Sequence, residues 1–356
     1  MNRINVVTAL ALLGLLVRAA GAETLREQSQ QSVEARGVAL VRVENPRGLV
    51  QVRPSADGRI HLTALKIARS SDRAKAVEFA RDTRVETRTE AGRYVVVVRY
   101  PQRQVVRVNF WDLFRDHYQF PEIEVRLALE VPASLPVSLK TTSGDLETTD
   151  LVGPQQLASV SGDLSVRGGA GLVEGTSTSG DLVAENVGRL RYRSVSGDAE
   201  VAGARGPLEL RSTSGRVKVA RAADSVLVGT VSGDVHVEES PRVLVVTSTS
   251  GDVEIAGLAS GDVRIRSASG DVRLGLAPGV RRAEIATGSG DIVARVPERL
   301  ACDLDLRTSS GSLDVSLPIQ VRTVSRHQVS GSVRGGGVPI TLRSSSGDID
   351  VTSGGR

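Results

Sequence analysis

From about residue 137 onward, apolar side chains come in short alternating sets on either side of a recurring glycine. After the glycine, positions two and four are aliphatic and the residue between is polar: Leu164-Ser165-Val166, Val217-Lys218-Val219, Val235-His236-Val237, Val253-Glu254-Ile255, Val272-Arg273-Leu274 and Leu313-Asp314-Val315. Alternation with period two predicts a short strand with one buried face. Before the glycine, Leu208 and Leu210, Leu244 and Val246, Val263 and Ile265, Leu304 and Leu306, and Ile340 and Leu342 share one parity. That parity then passes to hydroxyls, as in Ser194 and Ser196, Ser212 and Ser214, or Ser248 and Ser250. Each unit thus predicts two strands, the first tapering from large aliphatic residues to serine.

The glycines are Gly144, Gly162, Gly180, Gly197, Gly215, Gly233, Gly251, Gly270, Gly290, Gly311, Gly331 and Gly347, spaced 18, 18, 17, 18, 18, 18, 19, 20, 21, 20 and 16 residues apart. Each follows a serine, and nine of the twelve precede an aspartate; Arg216, Ser312 and Ser332 are the exceptions. A fixed period near 18 predicts stacked coils, a β-solenoid. The triplet is expected to make a corner. The motif serine fits the narrow interior, the glycine supplies backbone angles that other residues avoid, and the aspartate accepts a backbone N–H. A second bend is expected half a period on, at Gly153, Gly168-Gly169, Gly188, Gly203, Gly257, Pro278-Gly279, Pro297 and Pro318.

Upstream the pattern loosens. Residues 1–22 read as a secretory signal: Arg3, the apolar run Ile4 to Val17, then Ala20-Gly21-Ala22 before Glu23. Residues 23–37 are polar and read as a flexible lead-in. Residues 38–136 form an irregular β region, with strands around Val41, Leu49–Val52, Ile60–Leu62, Arg84–Tyr100 and Glu122–Val131. A helix is expected at about 71–83, with Ala76, Val77, Phe79 and Ala80 on one side. The regular repeats occupy 137–356. The class is all-β: a solenoid of about twelve regular coils, irregular N-terminal coils, one short helix and an aromatic-rich insert.

Composition sharpens this. Hydrophobic content is 40% but aromatics are 3%, as expected of a thin core of Val, Leu, Ala and Ser. Six of the nine aromatics fall in Tyr100–Phe120, five of them in an insert at 101–121. Phe110, Phe114 and Tyr118 would stack on a short helix, with Leu113 adjoining, and Trp111 and Phe120 complete the candidate contact. This is a cap packed on the solenoid, or a contact with a partner or membrane interface. The formal charge of +4 falls to +2 without residues 1–22, which hold Arg3 and Arg18 and no acid. Acids and bases are interspersed, which speaks against nucleic acid as a partner. The lone Cys302 shares the parity of Leu304 and reads as a buried apolar residue. After residue 22 no run is long and apolar enough for a transmembrane helix.

Catalytic and metal chemistry find little support. The aspartate ladder (Asp145, Asp163, Asp181 and its successors) offers one carboxylate per coil, where Ca²⁺ takes six to eight oxygens. His61, His117, His236 and His327 lack metal-site spacing, and no Gly-x-Ser-x-Gly turn stands between a strand and a helix. The coils look too uniform to carry the long acid-bearing loops of polysaccharide-cleaving β-helices. No cofactor, metal or catalytic residue is expected.

The strand ending Leu129-Glu130-Val131-Pro132 and the following Val137-Ser138-Leu139-Lys140-Thr141-Thr142-Ser143 lead into the first corner. Later copies read Thr230-Val231-Ser232-Gly233-Asp234-Val235 and Ser177-Thr178-Ser179-Gly180-Asp181-Leu182. Over residues 38–356 this resembles the bacterial "putative adhesin" domain family of unknown function. The resemblance implies an exported β-solenoid. The expected role is a non-enzymatic scaffold or adhesion surface in the periplasm or at the cell surface, contacting an envelope protein or polysaccharide. The alternatives are a carbohydrate-active β-helix enzyme and a subunit that associates end to end or side by side into filaments.

Overall fold

The computed structural model describes residues 11–19, 22–70, 73–101, 122–239, 242–258 and 261–354. The chain forms two compact units, Met1–Ser165 and Val166–Arg356.

In the first unit, one sheet is antiparallel where the sequence is irregular. Ala11–Ala19 pairs with Ala22–Glu34, which pairs with Arg59–Ser70, which pairs with Glu122–Val131. Parallel pairing then begins: Val50–Pro54 lies beside Glu122–Val131, and Leu146–Thr149 beside Val50–Pro54. The facing sheet runs from the hairpin Arg84–Glu90/Arg93–Arg99 to Leu40–Asn45, Val137–Thr141 and Gln155–Ala158. Ala11–Ala19 lies within the stretch read as a leader. Residues 23–37, expected as a flexible lead-in, are mostly strand. Backbone pairing to Arg59–Ser70 holds them.

The helix Arg73–Asp82 packs Ala76 and Ala80, one turn apart, on Ala68 and Ile123. Val77 points outward, 45% exposed, so the buried face is narrower than the sequence pattern indicates. Lys66 Nζ donates to the Ala80 carbonyl at 2.9 Å, satisfying one of the helix's last acceptors.

The second unit is the solenoid. Strands that start two residues after each glycine stack in parallel, and each residue pairs with its equivalent one repeat on: Val217 with Val235, Val235 with Val253, Val253 with Val272. The strands before each glycine form the facing sheet in the same way, Leu208 with Val226 and Val226 with Leu244. The aliphatic parity fills the space between the sheets; Leu210, Val219, Val226, Val246 and Ile265 are fully buried. Tyr192 is also buried there, its hydroxyl donating to the Gly180 carbonyl at 3.1 Å.

The corner is built differently from the expectation on two counts. First, the buried hydroxyl stands three residues before the glycine; the motif serine, for example Ser143, Ser196 or Ser214, is exposed. Thr141, Ser159, Ser177, Ser194, Ser212, Thr230, Thr287, Thr308 and Ser344 each accept the N–H of the glycine three residues on, at 2.8–3.2 Å. Second, glycine is needed mostly for closeness, since only Gly251 and Gly270 of the corner glycines have positive φ. A Cβ on Gly162, Gly197, Gly215 or Gly290 would sit 1.7–1.9 Å from the carbonyl oxygen of the corner glycine one coil earlier.

Left-handed backbone is concentrated at the second bend, six residues after the corner: Asp150, Gly168, Asn186, Gly203, Arg221, Glu239 and Gly257 all have φ of 46–73°. A bulky residue there is strained by about 1 kcal/mol relative to glycine. Glu239→Gly is therefore expected to raise stability by about 0.5–1 kcal/mol, read as a later denaturant midpoint. An earlier midpoint would show that the Glu239 side chain matters more than its backbone.

At the C-terminal end, sequence order and stacking order part. Val338–Ser344 lies between Val280–Thr287 and Cys302–Thr308, and Ile349–Gly354 lies between Ile292–Pro297 and Leu313–Val315. The glycine row therefore runs Gly290, Gly347, Gly311. Gly331, expected as a corner, has left the row. It sits mid-strand in Gln328–Val333, which pairs antiparallel with Cys302–Thr308 and Ile319–Ser325 and covers the end of that sheet. Antiparallel reversal gives the terminal edge a partner that another parallel coil would otherwise supply.

Candidate functional site

The aspartates that recur at the corners are occupied in holding the fold. Asp145 Oδ1 accepts the backbone N–H of Asp163 at 3.0 Å. Asp181 takes that of Asp198, Asp234 that of Asp252, and Asp271 that of Asp291, at 2.8–3.1 Å. The ladder follows stacking order: Asp291 holds Asp348, and Asp348 holds Ser312 at 2.7 Å. The Ser312 N–H and hydroxyl keep the Asp348 carboxyl below the usual carboxylate range. Ser312 lies on the last corner of the row, where no further N–H waits for a carboxylate. Arg216, at an interior corner, has no structural explanation. Among the described residues no three His, Cys, Asp or Glu side chains converge as metal ligands. Cys302 is buried in the core, and burial pushes its thiol up to about 11.

The twelve predicted corner glycines therefore divide into eleven that stay in the corner rows and Gly331, which does not. The aromatic candidates Phe110, Trp111, Phe114, Tyr118 and Phe120 lie outside the described residues. Tyr100, just before them, donates from its hydroxyl to the Arg47 carbonyl at 2.6 Å and accepts the Val125 N–H at 3.1 Å.

With the corners spoken for, variable chemistry lies on the outward faces. Much of it is self-neutralised. Arg191 bridges Glu174 and Glu209 at 3.0 and 2.9 Å, and Glu209 also meets Arg211. Arg264 and Arg266 share Glu284.

One concavity breaks this balance. A groove of about 840 Å³ runs across the outer side of the second unit. Its lining includes Glu254, Arg273, Leu276, Pro278, Arg295 and Arg299. It arises where the repeat lengthens. Up to Gly257 the second bend is tight; at Leu276 and Val296, six residues after the next two corners, the backbone is no longer left-handed. The strands run on to Leu276 and Pro297, and the register shifts between Ile255 and Leu258. Coils of unequal reach leave a step. Arg295 has Gly275 beside it on one side and Thr352 on the other, so small neighbours leave its guanidinium uncovered. Arg273 is engaged by Asp271 and Asp252 at 3.1 and 3.5 Å. Arg295 and Arg299 make no ion pair among the described residues. The sequence signal was the spacing of the glycines, which grows from 18 to 19, 20 and 21 at this point. The expectation of uniform coils passed over it.

A smaller cavity of about 250 Å³ lies in the first unit, lined by Gln31, Leu62, Thr87 and Tyr94 among others. Thr87 Oγ1 donates to Gln31 Oε1 at 2.9 Å, and the buried Tyr94 phenol is pushed up to about 12 by burial. It falls below the roughly 300–1,000 Å³ of ordinary ligand sites, and the groove falls within that range.

A family model described as Toastrack DUF4097 matches residues 49–245 and again 185–352. No curated protein matches the chain. Among solved structures, the chain is similar to one described as a "putative adhesin" from Bacteroides fragilis NCTC 9343. Identity is 15% and the TM-score 0.42, over 64% of this chain and 96% of that one. It is also similar to a "putative cell adhesion protein" from Clostridium sporogenes ATCC 15579. There identity is 8% and the TM-score 0.23, over 92% of this chain and 100% of that one.

Proposed function

The chain belongs to the Toastrack DUF4097 family, and from that premise we propose that it is an exported, non-enzymatic binding scaffold whose groove takes an acidic polysaccharide of the bacterial envelope. Export rests on residues 1–22, whose basic start, apolar run and small-residue end have the form of a leader. The observation that carries the ligand class is the pair of guanidiniums without an ion pair among the described residues, Arg295 and Arg299, in a groove whose wall also holds Glu254, Arg273 and Glu298 beside the apolar Leu276, Ala277, Pro278 and Pro297. Guanidinium forks suit carboxylates, and the apolar wall suits the C–H faces of sugar rings. A polymer of weakly bound, repeated acidic units also fits a surface with few aromatics for stacking. The aromatic insert at 101–121 is proposed as a separate contact, tested by deleting it.

The test is retention of the chain lacking residues 1–22 on immobilised polygalacturonate, with neutral dextran as the control. Binding is expected to polygalacturonate alone and to weaken as salt rises. Losing both arginines, in Arg295→Ala/Arg299→Ala, is expected to weaken it by roughly 10- to 100-fold, about 1.5–3 kcal/mol for charge-assisted bonds. Equal retention of the variant, or equal binding to dextran, would remove the groove as the contact site.

A further inference from the structure

Residues 338–354, the last seventeen described, are inserted between two coils that precede them in sequence. Both neighbours make the full set of corner contacts to the insert. Gly347 donates to Ser344 Oγ within it at 2.8 Å. Asp348 N–H goes to Asp291 on one side, and Ser312 N–H comes to Asp348 from the other, at 2.8 and 2.7 Å. Thr308 Oγ1 donates to the Gly347 carbonyl at 3.0 Å, and Ser344 Oγ to the Gly290 carbonyl at 3.2 Å. Ile340, Leu342, Ile349 and Val351 fill the core below. Before this segment arrives, the coil at 280–297 and the coil at 302–315 present two unpaired strand edges to each other on both sheets. That is a slot shaped for one sequence, residues 338–354, whichever copy supplies it.

The segment hangs on a linker built to turn. Arg334, Gly335, Gly336 and Gly337 have φ of 52°, 85°, 83° and 154° in succession. The three glycines adopt other angles at little cost. Backbone bonds from Gly336 to Val333 and from Val338 to Ala301 hold the linker, together with a side-chain latch. Asp303 Oδ2 accepts the Gly337 N–H at 3.0 Å, while its Oδ1 accepts the Ser332 hydroxyl at 2.7 Å and contacts Arg322.

We propose that residues 338–354 are an exchangeable clip and that two copies of the chain associate by each filling the other's slot. Every contact of the inserted coil is recovered in the exchange; only the linker changes course, so the dimer forms without a new interface having to evolve. The exchange also joins the groove to the partner, because Thr352 and Gly354 flank Arg295 and would come from the second copy. This inference is independent of what the groove binds.

The test uses full chains carrying single cysteines. Ala286 and Arg343 are cross-strand neighbours on the outer face. Parallel neighbours lie about 4.8 Å apart, within the Cα separation that a disulfide spans. Chains with Ala286→Cys and chains with Arg343→Cys are co-refolded, oxidised mildly and run without reductant; native Cys302 is buried and its thiol unreactive. A dimer linked between the two single variants is expected, with a dimer mass by light scattering. The double variant in one chain gives the control, and Glu254→Cys paired with Arg343→Cys gives the background. If the double variant closes within its own chain while the mixed single variants stay monomeric, the exchange does not occur. Equal linkage at Glu254→Cys would make it non-specific, and failure of the double variant to form a disulfide either within its chain or between two copies would overturn the strand placement on which the clip depends.

Discussion

Replacing Gly215 with alanine is expected to destabilise the second unit by about 3–5 kcal/mol, a large effect for a one-methyl change. The added Cβ would lie 1.8 Å from the Gly197 carbonyl oxygen and 2.5 Å from its carbon. Neither is a side-chain tip that could swing aside. The coils would have to part by more than an ångström. The bonds that set their spacing are the Arg216 N–H to Asp198 Oδ1 and the Ala199 N–H to the Arg216 carbonyl, both 2.8 Å. Losing these and weakening their neighbours accounts for a few kcal/mol at about 1 kcal/mol each, with overpacking on top. Gly229→Ala is the matched control. Gly229 also lies in a strand, but the nearest heavy atom to its Cβ would be Arg211 Cγ at 3.8 Å. That change is expected to be neutral or to stabilise by about 0.5 kcal/mol, because alanine has less freedom to lose on folding. Denaturant midpoints of the two variants decide the matter: equal midpoints would mean that close approach is not why glycine stands at the corner.

What could be read from the sequence follows from what a repeat encodes. Period-two alternation marks which face of Val217–Val219 or Leu208–Leu210 is inside, because a strand has only two faces and one is wet. The row of glycines is legible because stacking in register repeats the same crowding at every layer. The reason for the glycine is not legible, since a left-handed turn and a close approach call for the same residue. Parity could not separate Ser212 from Ser214 either. Both lie on the same side of an extended strand, and only the turn between them sends one inward and the other to solvent. The second bend hides its strain among Asp150, Asn186, Arg221 and Glu239, residues of three different chemistries holding one backbone shape. The groove was written in the lengthening spacing after Gly251. The insertion of the last coil could not be read, because Ser346-Gly347-Asp348-Ile349 is indistinguishable from any interior copy. A coil's own sequence says how it stacks and not upon which neighbour. Only Ser312, where an aspartate would have nothing to hold, marks the true end of the row.

The buried hydroxyl supplies the second large effect, and the chain contains its own control. Thr230 is 6% exposed and its Oγ1 accepts the Gly233 N–H at 2.9 Å. Valine has the same shape without the acceptor, so Thr230→Val would leave a buried N–H unsatisfied. The expected cost is about 1–3 kcal/mol, the penalty for stranding a backbone donor. One coil on, the same position is Ser248, and the geometry differs. Gly251 has φ of +131°, and Ser248 Oγ has no hydrogen-bond partner although it is buried. Ser248→Ala removes a polar atom that is already unpaired, and is expected to be neutral or to stabilise by up to about 1 kcal/mol. Two equivalent hydroxyls in adjacent coils should thus respond with opposite sign. The comparison is informative because both changes leave packing nearly unaltered, so a difference in denaturant midpoint reports the hydrogen bond alone. If Ser248→Ala proved as costly as Thr230→Val, the corner hydroxyl would be acting through something other than the glycine N–H, and the account of the corner given by those nine bonds would be wrong.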